Sequence, residues 1–196
     1  MAGTSTHTLT CSSCGLTFEK EIFDLINVSD NPELKEKVIS GEVFISECPH
    51  CGRKTVISSP LVYLDPKEML LVVLSDNALS IDDTQGYTAR LVTKAGDLIE
   101  KVKIFDAGLD DIAIEMCKYV TRQELGKEVS LKFLRMDGAD NEIILTYPQN
   151  GQMEMLSIGF NVYEDCCGII SRNPSVKDAA KGLVKVDEAW LGQFFA

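Results

Sequence analysis

Apolar residues recur along this chain in two rhythms: strict alternation over short runs, and a spacing of three or four over longer ones. Alternation marks strands with one buried face, and the longer spacing marks helices. Two stretches interrupt the first rhythm, CSSCG at 11–15 and CPHCG at 48–52. Short apolar runs flank both, as in LTCSSCGLTFEKEIF and VFISECPHCGRKTVI, so each stretch is predicted to join two strands. Between them SDNPELKEKVISGE carries helix signals. Asp30 or Asn31 can cap, Pro32 fits the first turn, Glu33 favours the positive end, Leu34 and Val38 share a face, and Gly41 ends the run.

Beyond Gly52, KTVISSPLVYLD and EMLLVVLS are predicted strands joined through DPKE, with Pro60 marking an edge or an interruption in the first. NALSIDDTQ is an acidic turn. Asp82 and Asp83 are adjacent, would point oppositely on a strand, and are expected to be solvated. YTARLVTKAGDLIEKVKIFDAG predicts strand, turn, strand, leading into the clearest helix. There Leu109, Ile112, Ala113, Met116 and Val120 form a stripe, with Asp110, Asp111 and Glu115 early and Lys118 and Arg122 late. Asp106, Asp110 and Asp111 are read as capping and dipole residues, not as a catalytic cluster. Val129, Leu131 and Phe133 alternate, as do Ile143, Leu145 and Tyr147, and a third strand is predicted around 153–162. This is an antiparallel meander. Asn173 and Pro174 start a short helix, and DEAWLGQFFA closes the chain with Trp190, Phe194 and Phe195, expected to dock as core or to face a partner.

The expected fold class is α+β: zinc-ribbon-like four-cysteine knuckles interrupted by a helical insertion, then antiparallel strands with one main amphipathic helix and short C-terminal helices. The expected domains are 8–125, holding a split ribbon at 8–56, and 126–196, the meander with its helical tail packed on the first part.

Composition sets the class. With 196 residues, 45% hydrophobic and 25% charged, the chain has the make-up of a globular protein. Its formal net charge of −11 disfavours nucleic-acid binding, where affinity comes from neutralising phosphates with Lys and Arg. No apolar run reaches membrane-spanning length. The first residues lack the basic and apolar regions of a secretory signal, so a cytoplasmic, reducing setting is expected. There, seven cysteines read as metal ligands and buried thiols before they read as disulfides.

A Cys-x-x-Cys turn brings two thiolates within reach of one tetrahedral zinc, and Gly15 and Gly52 suit the tight turn that follows. Two such knuckles supply Cys11, Cys14, Cys48 and Cys51, a complete structural set for one zinc ion. Dithiol exchange would need Cys-x-x-Cys opening a helix after a strand, and neither knuckle has a helix pattern behind it. His50, inside the second knuckle, is expected to face solvent, and His7 to lie loose in a polar tail. Cys117, Cys166 and Cys167 are read as structural or incidental thiols. No nucleophile elbow, phosphate loop, dinucleotide fingerprint or His-Glu-x-x-His run is present in the sequence.

The segment CSSCGLTFEKEIFDLINVSDNPELKEKVISGEVFISECPHCG, with LIEKVKIFDAGLDDIAIEMCKY further on, resembles the CpXC domain, a prokaryotic family of uncharacterised function named for paired Cys-Pro-x-Cys-like motifs. The resemblance runs from about Thr8 to beyond Val120. Ser12 stands where the first motif would carry proline, while Pro49 keeps it in the second. The resemblance implies a zinc-ribbon-like cysteine site on Cys11, Cys14, Cys48 and Cys51 and supplies no catalytic residues. The expected function is therefore a zinc-binding interaction or regulatory module with a protein partner or self-association. The alternatives are an enzyme whose pocket uses Asp or Cys residues or, further off, a nucleic-acid-binding ribbon.

Overall fold

The computed structural model describes residues 2–81 and 83–195. Asp82 of the acidic turn lies outside them. Asp83 does hold a turn, its Oδ1 accepting from the Gln85 N–H at 2.9 Å. The chain divides into two compact units, 1–99 and 100–196.

In the first unit, β1 (Gly3–Thr10) and β2 (Thr17–Asn27) form an antiparallel hairpin. The polar tail expected around His7 is therefore a strand. Thr4, Thr6, Thr8 and Thr10 on its exposed side are β-branched, and β-branched residues suit a pleated surface even without an apolar face. His7 pairs with Lys20 across the hairpin, and its Nε2 lies 2.7 Å from the Ser5 hydroxyl. Helix α1 (Glu33–Ile39) buries Leu34 and Val38 as the stripe predicts, but it starts at Pro32 with no side-chain cap. Asn31 instead contributes its carbonyl to the Leu34 N–H. Gly41, at φ 81°, turns the chain into a 3-10 turn (Glu42–Phe44).

A second hairpin, β3 (Ile45–Glu47) with β4 (Lys54–Val56), carries the second knuckle. Pro60 interrupts the following run, and β5 (Leu61–Asp65) opens a new strand in the larger sheet. With β6 (Leu70–Leu74) and β7 (Thr88–Val92), the strands of this sheet in the first unit run β1-β2-β5-β6-β7. The expectation of antiparallel strands holds for β1–β2 and β5–β6, while β2–β5 and β6–β7 are parallel. Alternation sets the core: Leu61, Tyr63, Leu70, Val72 and Leu74 are buried along the two central strands. Asp65, also buried, meets Lys35 Nζ at 3.1 Å.

The segment after β7 corrects the expected second strand. It is helix α2 (Ala95–Asp106). In the second unit, α3 (Asp111–Leu125) takes Asp110 as its N-cap, the Oδ1 accepting from the N–H groups of Ile112 at 2.8 Å and Ala113 at 3.0 Å. Gly126, at φ 59°, ends it. The meander forms as predicted from β8 (Lys132–Asp137), β9 (Glu142–Gln149) and β10 (Gln152–Gly159), in the order β10-β9-β8. The third strand stops at Gly159, where α4 (Phe160–Ser171) begins, burying Tyr163, Cys166 and Ile170. Next come α5 (Pro174–Ala179), a two-residue strand β11 (Leu183–Val184) and α6 (Glu188–Phe195). Trp190, Phe194 and Phe195 pack half-buried against the core built on Ile114, Ile143, Leu145, Ile170 and Leu191.

Between α2, α3 and β8 lies an ionic network of three buried carboxylates, two buried lysines and a half-buried third, Lys132. Lys101 Nζ meets Asp111 Oδ2 at 2.8 Å and Glu115 Oε1 at 3.4 Å. Lys118 Nζ meets Glu115 at 2.8 Å and Glu100 at 3.0 Å, and Lys132 meets Glu100 at 3.0 Å. The Phe133 N–H donates to Glu100 Oε1 at 2.7 Å. Burial alone would lower the Lys101 pKa, but Asp111 and Glu115 outweigh it and hold the ammonium above its ordinary range.

Candidate metal centre

Each knuckle is the loop of one hairpin, and the two loops share one backbone design. Thr10 pairs with Thr17 across the first and Glu47 with Lys54 across the second, leaving 11–16 and 48–53 as the loops. The Cys11 N–H donates to the Leu16 carbonyl and the Gly15 N–H to the Cys11 carbonyl, both at 2.9 Å. The Cys48 N–H and Arg53 carbonyl, and the Gly52 N–H and Cys48 carbonyl, repeat the pattern at 2.9 Å. Gly15 and Gly52 sit at φ 73° and 70°, the left-handed region that a side chain would strain. Neither loop leads into a helix, which the dithiol-exchange alternative would need.

The two loops place four sulfurs together. Cys11 Sγ lies 3.6 Å from Cys51 Sγ, and Cys14 Sγ lies 3.7 Å from Cys48 Sγ. All four sulfurs fall within 4.8 Å of one another. A disulfide would need about 2.05 Å, and all four cysteines are free. Four sulfurs about 2.3 Å from a tetrahedral ion stand about 3.8 Å apart, so the donor set and its spacing fit a tetrahedral four-thiolate site. Cys11 and Cys48 are buried, while Cys14 and Cys51 face solvent.

The electrostatics point the same way. Backbone N–H groups of Cys14 and Ser13 lower the Cys11 pKa to about 6. At Cys14 the Leu16 N–H favours the thiolate, but desolvation and the neighbouring sulfurs outweigh it and push the thiol up to about 12. One thiolate forms readily and its neighbour resists, the behaviour of crowded like charges. A dication at the centre removes that conflict, and a coordinating thiol deprotonates outright.

The histidines stay out of this cluster. His50 is exposed, and His7 is a member of β1. Among the described residues, Cys11, Cys14, Cys48 and Cys51 are the grouped candidate ligands. The remaining thiols come together elsewhere. Cys117 and Cys166 are buried on α3 and α4, and the Cys117 thiol is pushed up by its contact with Cys166 and by burial. Cys167 borders a cleft of about 350 Å³ with Asp110 and Lys177. Burial raises its thiol too, and Asp110 is engaged as a helix cap, so the group makes a poor nucleophilic site.

Sequence reasoning missed two features near these sites. One is the ionic network, hidden because the segment of Glu100 and Lys101 reads as a strand and Asp111, Glu115 and Lys118 read as residues matched to the helix dipole. The other is a cleft beside the cysteines lined by Ser46 and Arg53, whose only sequence signal is their place in the alternation around the second knuckle. No helix among the described residues is long and apolar enough to cross a membrane.

The family described as CpXC protein matches residues 9–118, more than half of the chain and including all four cysteines of the cluster. No curated protein and no solved structure matches the chain.

Proposed function

We propose, for a chain that belongs to the CpXC protein family, that the four-cysteine cluster holds one zinc ion structurally and that the protein works as an interaction module in a reducing compartment. The observation that carries this reading is the cross-knuckle sulfur spacing of 3.6 and 3.7 Å, near the edge length of a four-thiolate zinc site. Cys11, Cys14, Cys48 and Cys51 fill all four positions and leave none open for a substrate, the arrangement of a structural and not a catalytic site. The ion would supply the positive charge that four crowded thiolates lack.

The partner is read as protein, through the open edge of β10. That strand carries Met153 and Met155 at 62% and 65% exposure, on the same side, with Glu154 as its one charge. An edge so lightly guarded favours pairing with another strand. The C-terminal aromatics are the weaker choice because they already pack on the core. The net charge of −11 argues against nucleic acid.

The test is elemental analysis of protein purified without chelator. About one zinc per chain is expected, lost in Cys48→Ser and in Cys51→Ser. Iron in its place, or a cooperatively folded protein with no metal and four reduced thiols, refutes the reading.

A further inference from the structure

We infer that the cleft beside the cysteine cluster is a binding site for a small organic anion with an apolar body. The two knuckle hairpins build it. Phe18 stands opposite Leu9 in the β1–β2 register, and Cys11 follows at the start of the first loop. Thr55 stands opposite Ser46 in the second hairpin, and Cys48 opens its loop. These residues, with Arg53 and Ile57, border one cleft of about 230 Å³. Its size admits a fragment or small metabolite and excludes a folded partner.

The lining selects the chemistry. Leu9, Phe18, Val56 and Ile57 offer apolar wall, and Thr10, Ser46, Thr55 and Ser58 offer hydroxyls. Arg53 is the one charged residue in the lining, and its guanidinium has no ion-pair or hydrogen-bond partner among the described residues. Ser46 Oγ is enclosed in the wall, again with no hydrogen-bond partner, a state that buried hydroxyls rarely keep. An unpaired guanidinium, hydroxyls and an apolar wall together suit a carboxylate on an aliphatic or aromatic body. Thr10 Oγ1 lies 3.3 Å from Thr17 Oγ1 across the first hairpin, so the hydroxyls left to the cleft are those of Ser46, Thr55 and Ser58.

Arg53 has a second conceivable role, balancing the charge of four thiolates around a dication. One experiment separates the two. The full chain, with metal content measured on the same sample, is titrated with 4-phenylbutanoate while backbone amide resonances are followed by NMR. Saturable shifts are expected at 9–11, 18, 46–48 and 53–58. Arg53→Gln should weaken binding about tenfold or more, the loss expected for one charge-assisted hydrogen bond, with metal content unchanged. The neutral analogue 4-phenylbutanamide should weaken by a similar factor. Three results overturn the inference: no saturable shift into the millimolar range, shifts centred elsewhere, or Arg53→Gln losing metal while binding the probe as before. Metal-free protein that still binds the probe at these positions refutes the zinc reading and leaves this one standing.

Discussion

Replacing Lys101 by Met tests the buried ionic network at its tightest point. The Lys101 side chain is 3% exposed, with Asp111 Oδ2 at 2.8 Å and Glu115 Oε1 at 3.4 Å. Met has similar length and volume, so little cavity follows and the change is chiefly electrostatic. Three cations and three carboxylates become two and three, with Lys132 alone of the six reaching solvent. Removing one partner of a buried pair costs about 3–5 kcal/mol, because the other charge stays desolvated. Glu115 keeps Lys118 at 2.8 Å, so the loss falls toward about 3 kcal/mol. With a urea slope of about 2 kcal/mol/M, the unfolding midpoint should drop by about 1.5 M, read by far-ultraviolet circular dichroism and Trp190 fluorescence. Lys54→Met is the control. Its partner Glu47 is 3.8 Å away, both side chains are exposed, and the expected change is under about 0.5 kcal/mol. A Lys101→Met midpoint within the control's range would refute the account of the network as a set of paired, desolvated charges.

The same network sets a pH dependence. Burial alone would raise the Glu100 pKa, but Lys118, Lys132 and the Phe133 N–H outweigh it and hold the carboxyl below its ordinary value. Its contribution to stability is therefore full above about pH 4.3, the unfolded value, and is lost as pH falls through the lower folded value. Urea midpoints across that window should drop, and the drop should shrink in Glu100→Gln; a flat acid limb in the parent protein contradicts this. Lys101, with its raised pKa, stabilises below about pH 10.4 and loses its contribution as pH rises through the folded value. Gly15→Ala meets no atom within 4 Å but must hold φ 73°, so it should cost about 1–2 kcal/mol through the backbone alone. A thermal melt unchanged from the parent would exclude strain at this turn. Met155→Lys should abolish self-association through β10 in light scattering, and an oligomer that persists in the variant places the interface elsewhere.

Much of the cluster was legible because a metal site is written in local spacing. Two Cys-x-x-Cys-Gly stretches between alternating runs define both loops and their turns, and the four sulfurs converge as that pattern implies. Helix α2 was hidden by its own buried charges. Glu100 and Lys101 interrupt the apolar stripe, and Val102, Lys103 and Ile104 then mimic a strand's alternation, so the period reads as two. Strand β1 failed for the opposite reason. It has almost no apolar residues, and backbone pairing to β2 holds it in place. Helix α4 carries a stripe of Tyr163, Cys166 and Ile170, obscured by adjacent cysteines and by Gly168. The parallel pairings β2–β5 and β6–β7 have no local signature, since strand order depends on how distant segments meet.

The cross-knuckle contact between Cys14 and Cys48 joins positions 34 apart in the chain. With an ion seated there, the backbone between them becomes a closed ring that contains all of β2 and α1. Closing a ring of about 35 residues removes about 4 kcal/mol of chain entropy from the unfolded state. Topologically, the ring also separates cutting the chain from parting it. The turn at Ser29 and Asp30 is exposed and lies inside the ring. A protease nick there would open the peptide backbone yet leave both fragments tethered through the metal. In mild denaturant the nicked protein would sediment as one particle and would split into two on addition of chelator.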